Sequence, residues 1–167
     1  MLTSDGMTLE TFIPLWRDAM WNAVDTDERA RLVLEIGRAM LRQRGTVTPQ
    51  MVVFTSDLDP PVSLFQLPDV PMADKAPELR DTVQKQLSEM GASETYILVM
   101  LQTGTHEGKT TFLLMSWGET VEGEEACWML ALLNNGDVFQ EAKLMRAPDP
   151  SQTAISRGCR GLLTRFH

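Results

Sequence analysis

The stretch Glu125–Arg146, Glu-Ala-Cys-Trp-Met-Leu-Ala-Leu-Leu-Asn-Asn-Gly-Asp-Val-Phe-Gln-Glu-Ala-Lys-Leu-Met-Arg, decides the fold class. Its first half is apolar, and Asn135-Gly136 in the middle is the strongest short signal for a two-residue hairpin turn. Such a turn joins two antiparallel strands whose register it fixes. The sequence therefore predicts the strands Glu125–Asn134 and Asp137–Arg146, with Asn134 paired to Asp137.

Two segments upstream have the same two-residue period. They are Tyr96–Thr103 and Thr110–Trp117. Together with the hairpin they predict a four-stranded antiparallel meander. Its inner strands are apolar on both faces, so helices or a partner chain must cover the second face.

Three helices are predicted ahead of the meander, because apolar residues recur there at helical spacing. The first is Thr8–Val24. The second begins after a capping residue at Asp25 or Thr26 and ends at Gly45. The third is Pro77–Met90, since proline suits the first helical position.

Between the second and third helices, Met51–Thr55 and Val62–Leu67 predict a further hairpin, whose place in the main sheet stays open. The tail after Pro150 is either a last helix or a last strand. The predicted fold class is therefore α+β, a mainly antiparallel sheet packed against three helices on one of its sides.

The composition is that of one globular domain spanning residues 1–167, with residues 1–7 and 147–167 peripheral or less ordered. Apolar residues make up 43% and charged residues 23% of the chain, which excludes a disordered protein. The net charge of −8 argues against binding to nucleic acid or to anionic membranes. No apolar run reaches the roughly 18 residues of a membrane span, and no signal-peptide pattern opens the chain. We therefore expect a soluble, cytoplasmic protein.

The charges are unevenly spread. Four glutamates lie in one short connection, and they are Glu119, Glu122, Glu124 and Glu125. Their spacing fits no calcium loop, so a solvated turn is favoured over a metal site and no metal is predicted. Three arginines make the tail basic, and they are Arg157, Arg160 and Arg165. The simplest interpretation is that the tail docks on the acidic body, and an anion or partner site is the alternative.

No motif assigns catalysis or a cofactor. Residues 104–111 resemble a phosphate loop, but they have one residue too few between the glycines and lead into a strand, so a hairpin loop is predicted. Cys127 is expected to be a buried small hydrophobe. The basic surroundings of Cys159 would favour a thiolate, but no histidine or acid is near it in sequence, so a reactive cysteine is not expected. His106 beside Glu107 could act as a base, although a surface histidine is the simpler interpretation.

Three functional hypotheses remain open. The favoured one is a non-catalytic interaction or oligomerisation module that binds a second copy or another protein through the second sheet face or the proline-rich arm after Val62. Its predicted interface residues are Phe65, Leu67, Met100 and Met115. If His106 lies at its hairpin tip, both methionines share a face with Tyr96 and Trp117, although core packing is the more ordinary role for methionine.

The second hypothesis is a small-molecule binder or enzyme with a pocket between helices and sheet. Its predicted ligand-binding residues are Trp117, Tyr96 and His106. The third is an acidic chaperone or adaptor that masks a basic partner. Because the standard nucleophile, zinc and dinucleotide patterns do not occur, the sequence favours association over catalysis while leaving enzymatic activity open.

Overall fold

The computed structural model describes residues 2–136 and 138–163. Within them the helices are α1 (Leu9–Asn22), α2 (Thr26–Arg44), α3 (Pro77–Glu89) and α4 (Ala154–Cys159), with a short 3-10 turn at Pro150–Gln152. The strands are β1 (Gln50–Phe54), β2 (Val62–Gln66), β3 (Glu94–His106), β4 (Lys109–Thr120), β5 (Glu125–Asn135) and β6 (Val138–Arg146). This mixed architecture confirms the predicted α+β class. None of these helices is long and apolar enough to cross a membrane.

The strands form one six-stranded antiparallel sheet in the order β2-β1-β3-β4-β5-β6. The hairpin of β1 and β2 therefore joins the main sheet, because β1 pairs with β3. This pairing leaves β2 and β6 as the two edge strands. Every other strand has neighbours on both sides.

Helices cover both faces of the sheet, which corrects the expectation of three helices on one side. On one face, α1 and α2 pack against residues that include Val52, Tyr96 and Leu130. On the other face, α3 and α4 pack against residues that include Trp117 and Cys127. The reason is the two-sided apolar character of the inner strands, since each face must be removed from water.

Side-chain caps are present at the first two helices, and the one at Asp25 was predicted. Thr8 accepts a hydrogen bond from the backbone N–H of Thr11 at the start of α1, and Asp25 does the same for Glu28 at the start of α2. Gly45 ends α2 in the left-handed conformation, with φ of 72°. These side-chain caps satisfy backbone donors that a helix start would otherwise leave unpaired.

The predicted register of the last hairpin is wrong. Asn135 pairs with Val138 and Asn134 with Phe139, so the two-residue turn lies one position later than expected. The left-handed backbone explains the shift, since φ is 75° at Gly136 while Asn135 keeps a negative φ and stays in the strand. Asp137, the expected partner of Asn134, lies outside the described residues.

The tail packs into the core rather than at the periphery as far as residue 163. Its buried side chains are Ala147, Ile155, Cys159, Leu162 and Leu163. The predicted docking on the acidic body is confirmed, because Arg160 Nε lies 3.6 Å from a carboxylate oxygen of Glu125. Arg165, which the same prediction included, lies outside the described residues.

Candidate functional site

The two aromatic residues predicted to bind a ligand lie on opposite faces of the sheet. Tyr96 pairs with Gly118, whereas Trp117 pairs with Ile97 and shares the face of that residue. Both rings are buried. The Tyr96 hydroxyl donates to Glu94 at 3.0 Å, and the indole N–H of Trp117 donates to Glu125 at 3.0 Å. The two rings therefore cannot line one pocket, and the expected shared face is wrong.

His106 lies at the tip of the β3–β4 hairpin. Its side chain is exposed, and Nε2 is 3.9 Å from a carboxylate oxygen of Glu107. The turn consists of Glu107 and Gly108, both with positive φ, of 52° and 77°. Two positive φ angles in succession are typical of the tight turn that suits twisted strands. The hairpin interpretation of residues 104–111 is confirmed.

Two of the clustered glutamates have structural partners. Buried Glu119 accepts hydrogen bonds from the backbone N–H groups of Gly161 at 3.0 Å and Leu163 at 2.9 Å. Glu125 accepts from Trp117 and from the hydroxyl of Ser156. These carboxylates hold the tail against the sheet. Among the described residues, no group of three or more histidine, cysteine or acidic side chains is arranged to hold a metal ion.

Both cysteine thiols are free and buried. Burial is the main reason that the pKa of Cys127 and that of Cys159 each rise to about 12. The nearby charge of Arg80 lowers the pKa of Cys159 only in part. The expectation of a small buried hydrophobe at Cys127 is confirmed, whereas the expectation of a favoured thiolate at Cys159 is wrong because desolvation outweighs the basic surroundings.

The four predicted interface residues separate into two groups. Met100 packs against the α1–α2 face, and buried Met115 lies on the α3–α4 face, so the methionines belong to the two cores. Phe65 and Leu67 lie together at the edge strand β2, on the α3 face of the sheet. The structure thus brings together only this second pair, and β2 becomes the candidate site.

The outer edge of β2 presents backbone groups that pair with no other strand. Leu67 N–H donates to Pro49 at 2.8 Å, and Thr55 N–H donates to Pro61 at 2.9 Å. In an antiparallel ladder the bonded positions alternate, so odd-numbered residues of β2 point their backbone groups to β1. The N–H and C=O groups of Val62, Leu64 and Gln66 consequently point outward.

The two edges of the sheet differ in how they discourage further pairing. The outer strand β6 carries Glu141, Lys143 and Arg146 and contains a register shift opposite Ala131 and Leu132. Charges and bulges of this kind are the usual protection of an edge strand. The other edge, β2, has the uncharged sequence Val-Ser-Leu-Phe-Gln and five pairs with β1 in unbroken register. By the same criteria β2 is open to an added strand.

A groove of about 570 Å³ lies between β2 and α3. Its walls are largely apolar, with Phe65 and Leu67 on the strand side and Leu79, Val83 and Met90 on the helix side. Met51 lies on the same side of the sheet and contributes to the lining. We call this the α3 groove.

A second cavity of about 490 Å³ adjoins the start of β2 beside α1. It is lined by Pro14, Arg17, Asp18, Trp21, Pro60, Pro61 and Val62. Trp21 is 52% exposed, and its ring stacks on Phe54 with centroids 6.5 Å apart. We call this the α1 cavity. The two cavities lie beside opposite ends of β2.

A third cavity, of about 310 Å³, lies near β6, and its charges are paired with one another. Arg38 contacts Glu35 on one side and donates to Glu141 at 2.9 and 3.0 Å on the other. Burial raises the pKa of the Glu35 carboxyl, and Arg38 offsets this in part. Since this arginine already has both carboxylates as partners, the cavity offers a ligand less than the edge of β2 does.

Sequence reasoning identified Phe65 and Leu67 but not the helix wall opposite them. The signal for the edge was available, because β2 is a short strand without a single charge.

The comparisons with known proteins add nothing to this picture: no protein-family model, curated protein or solved structure matches the chain.

Proposed function

We propose that this protein is a non-catalytic interaction module that binds an extended segment of a partner protein as an additional strand on β2. The observation that carries the proposal is the combination of an uncharged edge strand in unbroken register with an apolar groove beside it. Strand addition uses these two features together, since the backbone supplies affinity and the groove accepts alternate side chains.

The backbone contribution comes from Val62, Leu64 and Gln66, which point their N–H and C=O groups outward. The side-chain contribution comes from the α3 groove, where Phe65 is 40% exposed. One buried apolar side chain of the partner adds about 1.5–3 kcal/mol, and part of this is offset by ordering the segment.

A free segment suits the site better than a second copy of the chain. A second β2 offers Val62, which is buried in its own core, and Leu64, which packs against that core. Those two side chains cannot also fill the α1 cavity of a neighbour, so a second copy could offer only Phe65, to the α3 groove. A segment without a fold of its own has both sets of alternate side chains available, one for each face.

The test is selection from a displayed library of random nine-residue peptides against the purified protein. We expect enriched peptides with alternating apolar residues whose binding is lost in Gln66→Pro and in Phe65→Lys. Proline at position 66 removes an outward N–H without removing a bond to β1. The matched control Gln66→Ala keeps that N–H and should bind normally.

Two results would contradict the proposal. One is the failure to enrich any peptide above an unrelated protein. The other is binding that Gln66→Pro leaves unchanged, since this would place the peptide away from the edge strand. The remaining alternative is that β2 binds a second copy of the chain. Sedimentation of the protein alone tests this, because a dimer that Gln66→Pro abolishes would show that the second copy, and not a partner segment, occupies β2.

A further inference from the structure

The α1 cavity contains an arginine without a partner. Arg17 forms no hydrogen bond or ion pair among those found in residues 2–136 and 138–163, and its Nε is buried. By contrast, Arg29 pairs with Glu94 at 2.7 Å and Arg38 pairs with two glutamates. A buried donor without an acceptor is costly and rare, so the position calls for an explanation.

The neighbouring acid does not supply that acceptor. Asp18 also lines the cavity, but adjacent residues on a helix do not face each other. No pair within 4.0 Å joins Arg17 and Asp18. The other walls are the ring of Trp21 and Pro14, Pro60 and Pro61. The cavity is open to solvent, since Trp21 is 52% exposed, so an incoming carboxylate can reach Arg17 from outside.

The position of the cavity relates it to the proposed strand. Val62, at the start of β2, belongs to the α1 cavity, whereas Phe65 and Leu67 belong to the α3 groove. An added strand follows β2 at about 3.3 Å per residue and directs alternate side chains to opposite faces. Two side chains of the added strand that enter different cavities are therefore an odd number of residues apart. The spacing is three if they lie beside Val62 and Phe65, and five if they lie beside Val62 and Leu67.

Resting on the proposed function, we infer that Arg17 selects a partner segment carrying an aspartate or glutamate side chain three or five residues from its apolar anchor. The carboxylate accepts from the N–H groups of the Arg17 guanidinium that line the α1 cavity, in a charge-assisted hydrogen bond. The apolar anchor occupies the α3 groove. Arg17 is thus a specificity residue, and β2 with the groove remains the source of binding.

The experiment repeats the library selection with Arg17→Gln, with Arg17→Lys and with the control Arg44→Gln. Arg44 is exposed at the end of α2, so its variant makes the same change of charge at a distance from the cavity. Wild type and the control should enrich an acid at the odd spacings, and Arg17→Gln should not. Replacing the selected glutamate of a peptide by glutamine should weaken its binding to the wild-type protein about fivefold to tenfold. The Arg17→Gln variant of the protein should bind both peptides equally well. Arg17→Lys should retain part of the preference.

The outcomes separate the two claims. If peptides bind in a Gln66→Pro-sensitive way but show no acid preference, the inference about Arg17 is overturned while strand addition stands. Moving the acid by one residue along the peptide should abolish the preference, because the side chain then faces the other side of the sheet. A preference that survives this shift also overturns the inference. If no peptide binds, the proposed function fails and the inference fails with it.

Discussion

Phe65 lies directly opposite Met51 in the β1–β2 ladder, yet Phe65 is 40% exposed and Met51 only 4%. Cross-strand neighbours on one face normally share their environment. Here the α3 groove leaves the side chain of Phe65 accessible to solvent. A large aromatic side chain thus remains accessible at an edge where another strand can pair.

Truncation at this position should affect stability little. We expect Phe65→Ala to lower the free energy of unfolding by about 1 kcal/mol, because much of the ring is already in water. The matched variant Leu87→Ala removes a fully buried side chain of α3 and should cost about 2–5 kcal/mol. Urea denaturation of both variants measures the difference. Equal losses would contradict the view that Phe65 is an accessible binding residue.

A close approach between two strands gives a second prediction. A Cβ added at Gly118 would lie 2.1 Å from Cδ1 of Tyr96, so the ring occupies the space of a side chain. We expect Gly118→Ala to cost about 3 kcal/mol through overpacking. In a Tyr96→Leu background the same substitution should cost much less, because the obstructing ring is gone. The same cost in both backgrounds would contradict the packing described.

The buried thiols give a prediction about reactivity. With their pKa values raised to about 12, Cys127 and Cys159 hold only about one thiolate in ten thousand thiols at pH 8. We expect both to react with a disulfide reagent far more slowly in the native protein than in denaturant. The control Ser88→Cys adds an exposed thiol on α3 that should react at once. Rapid native reaction at Cys159 would refute its burial.

The carboxyl of Glu35 gives a prediction about pH. Burial raises its pKa in the folded state above the ordinary value, although Arg38 opposes this. The folded protein therefore holds this proton more tightly than the unfolded chain does. The contribution to stability is present below the ordinary pKa and is lost as the pH rises through the raised one.

We therefore expect the free energy of unfolding of wild type, relative to Glu35→Gln, to fall as the pH rises from about 4 to 7. Denaturation at several pH values measures this difference. The control Glu10→Gln removes an exposed glutamate from α1 and corrects for the loss of one negative charge. A relative stability that rises with pH would show that the ion pair with Arg38 dominates over burial.

Much of the fold could be predicted because local signals agreed with the final structure. Asp25 and Gly45 mark the ends of α2, and the period of two marks the meander. The hairpin register could not be predicted, because Asn135 and Gly136 both favour the turn and only the folded backbone shows which one adopts positive φ.

The candidate site was only half visible in the sequence. Phe65 and Leu67 were recognised as apolar residues in an arm, but their groove depends on α3 packing beside β2, a contact between elements that are distant along the chain. Arg17 likewise has no ion-pair partner among the described residues, because its neighbour Asp18 does not pair with it. Such relationships follow from tertiary packing and have no local pattern.

The most direct test of strand addition is amide hydrogen exchange in β2, with and without a library-selected peptide. In the free protein, Ser63 and Phe65 point their N–H groups to β1, whereas Leu64 and Gln66 point outward. Outward amides should exchange faster, since they have no bond in the ladder. Saturating peptide should slow exchange at Leu64 and Gln66 at least tenfold and change Ser63 and Phe65 far less. Bound peptide that leaves Leu64 and Gln66 unprotected would contradict the account.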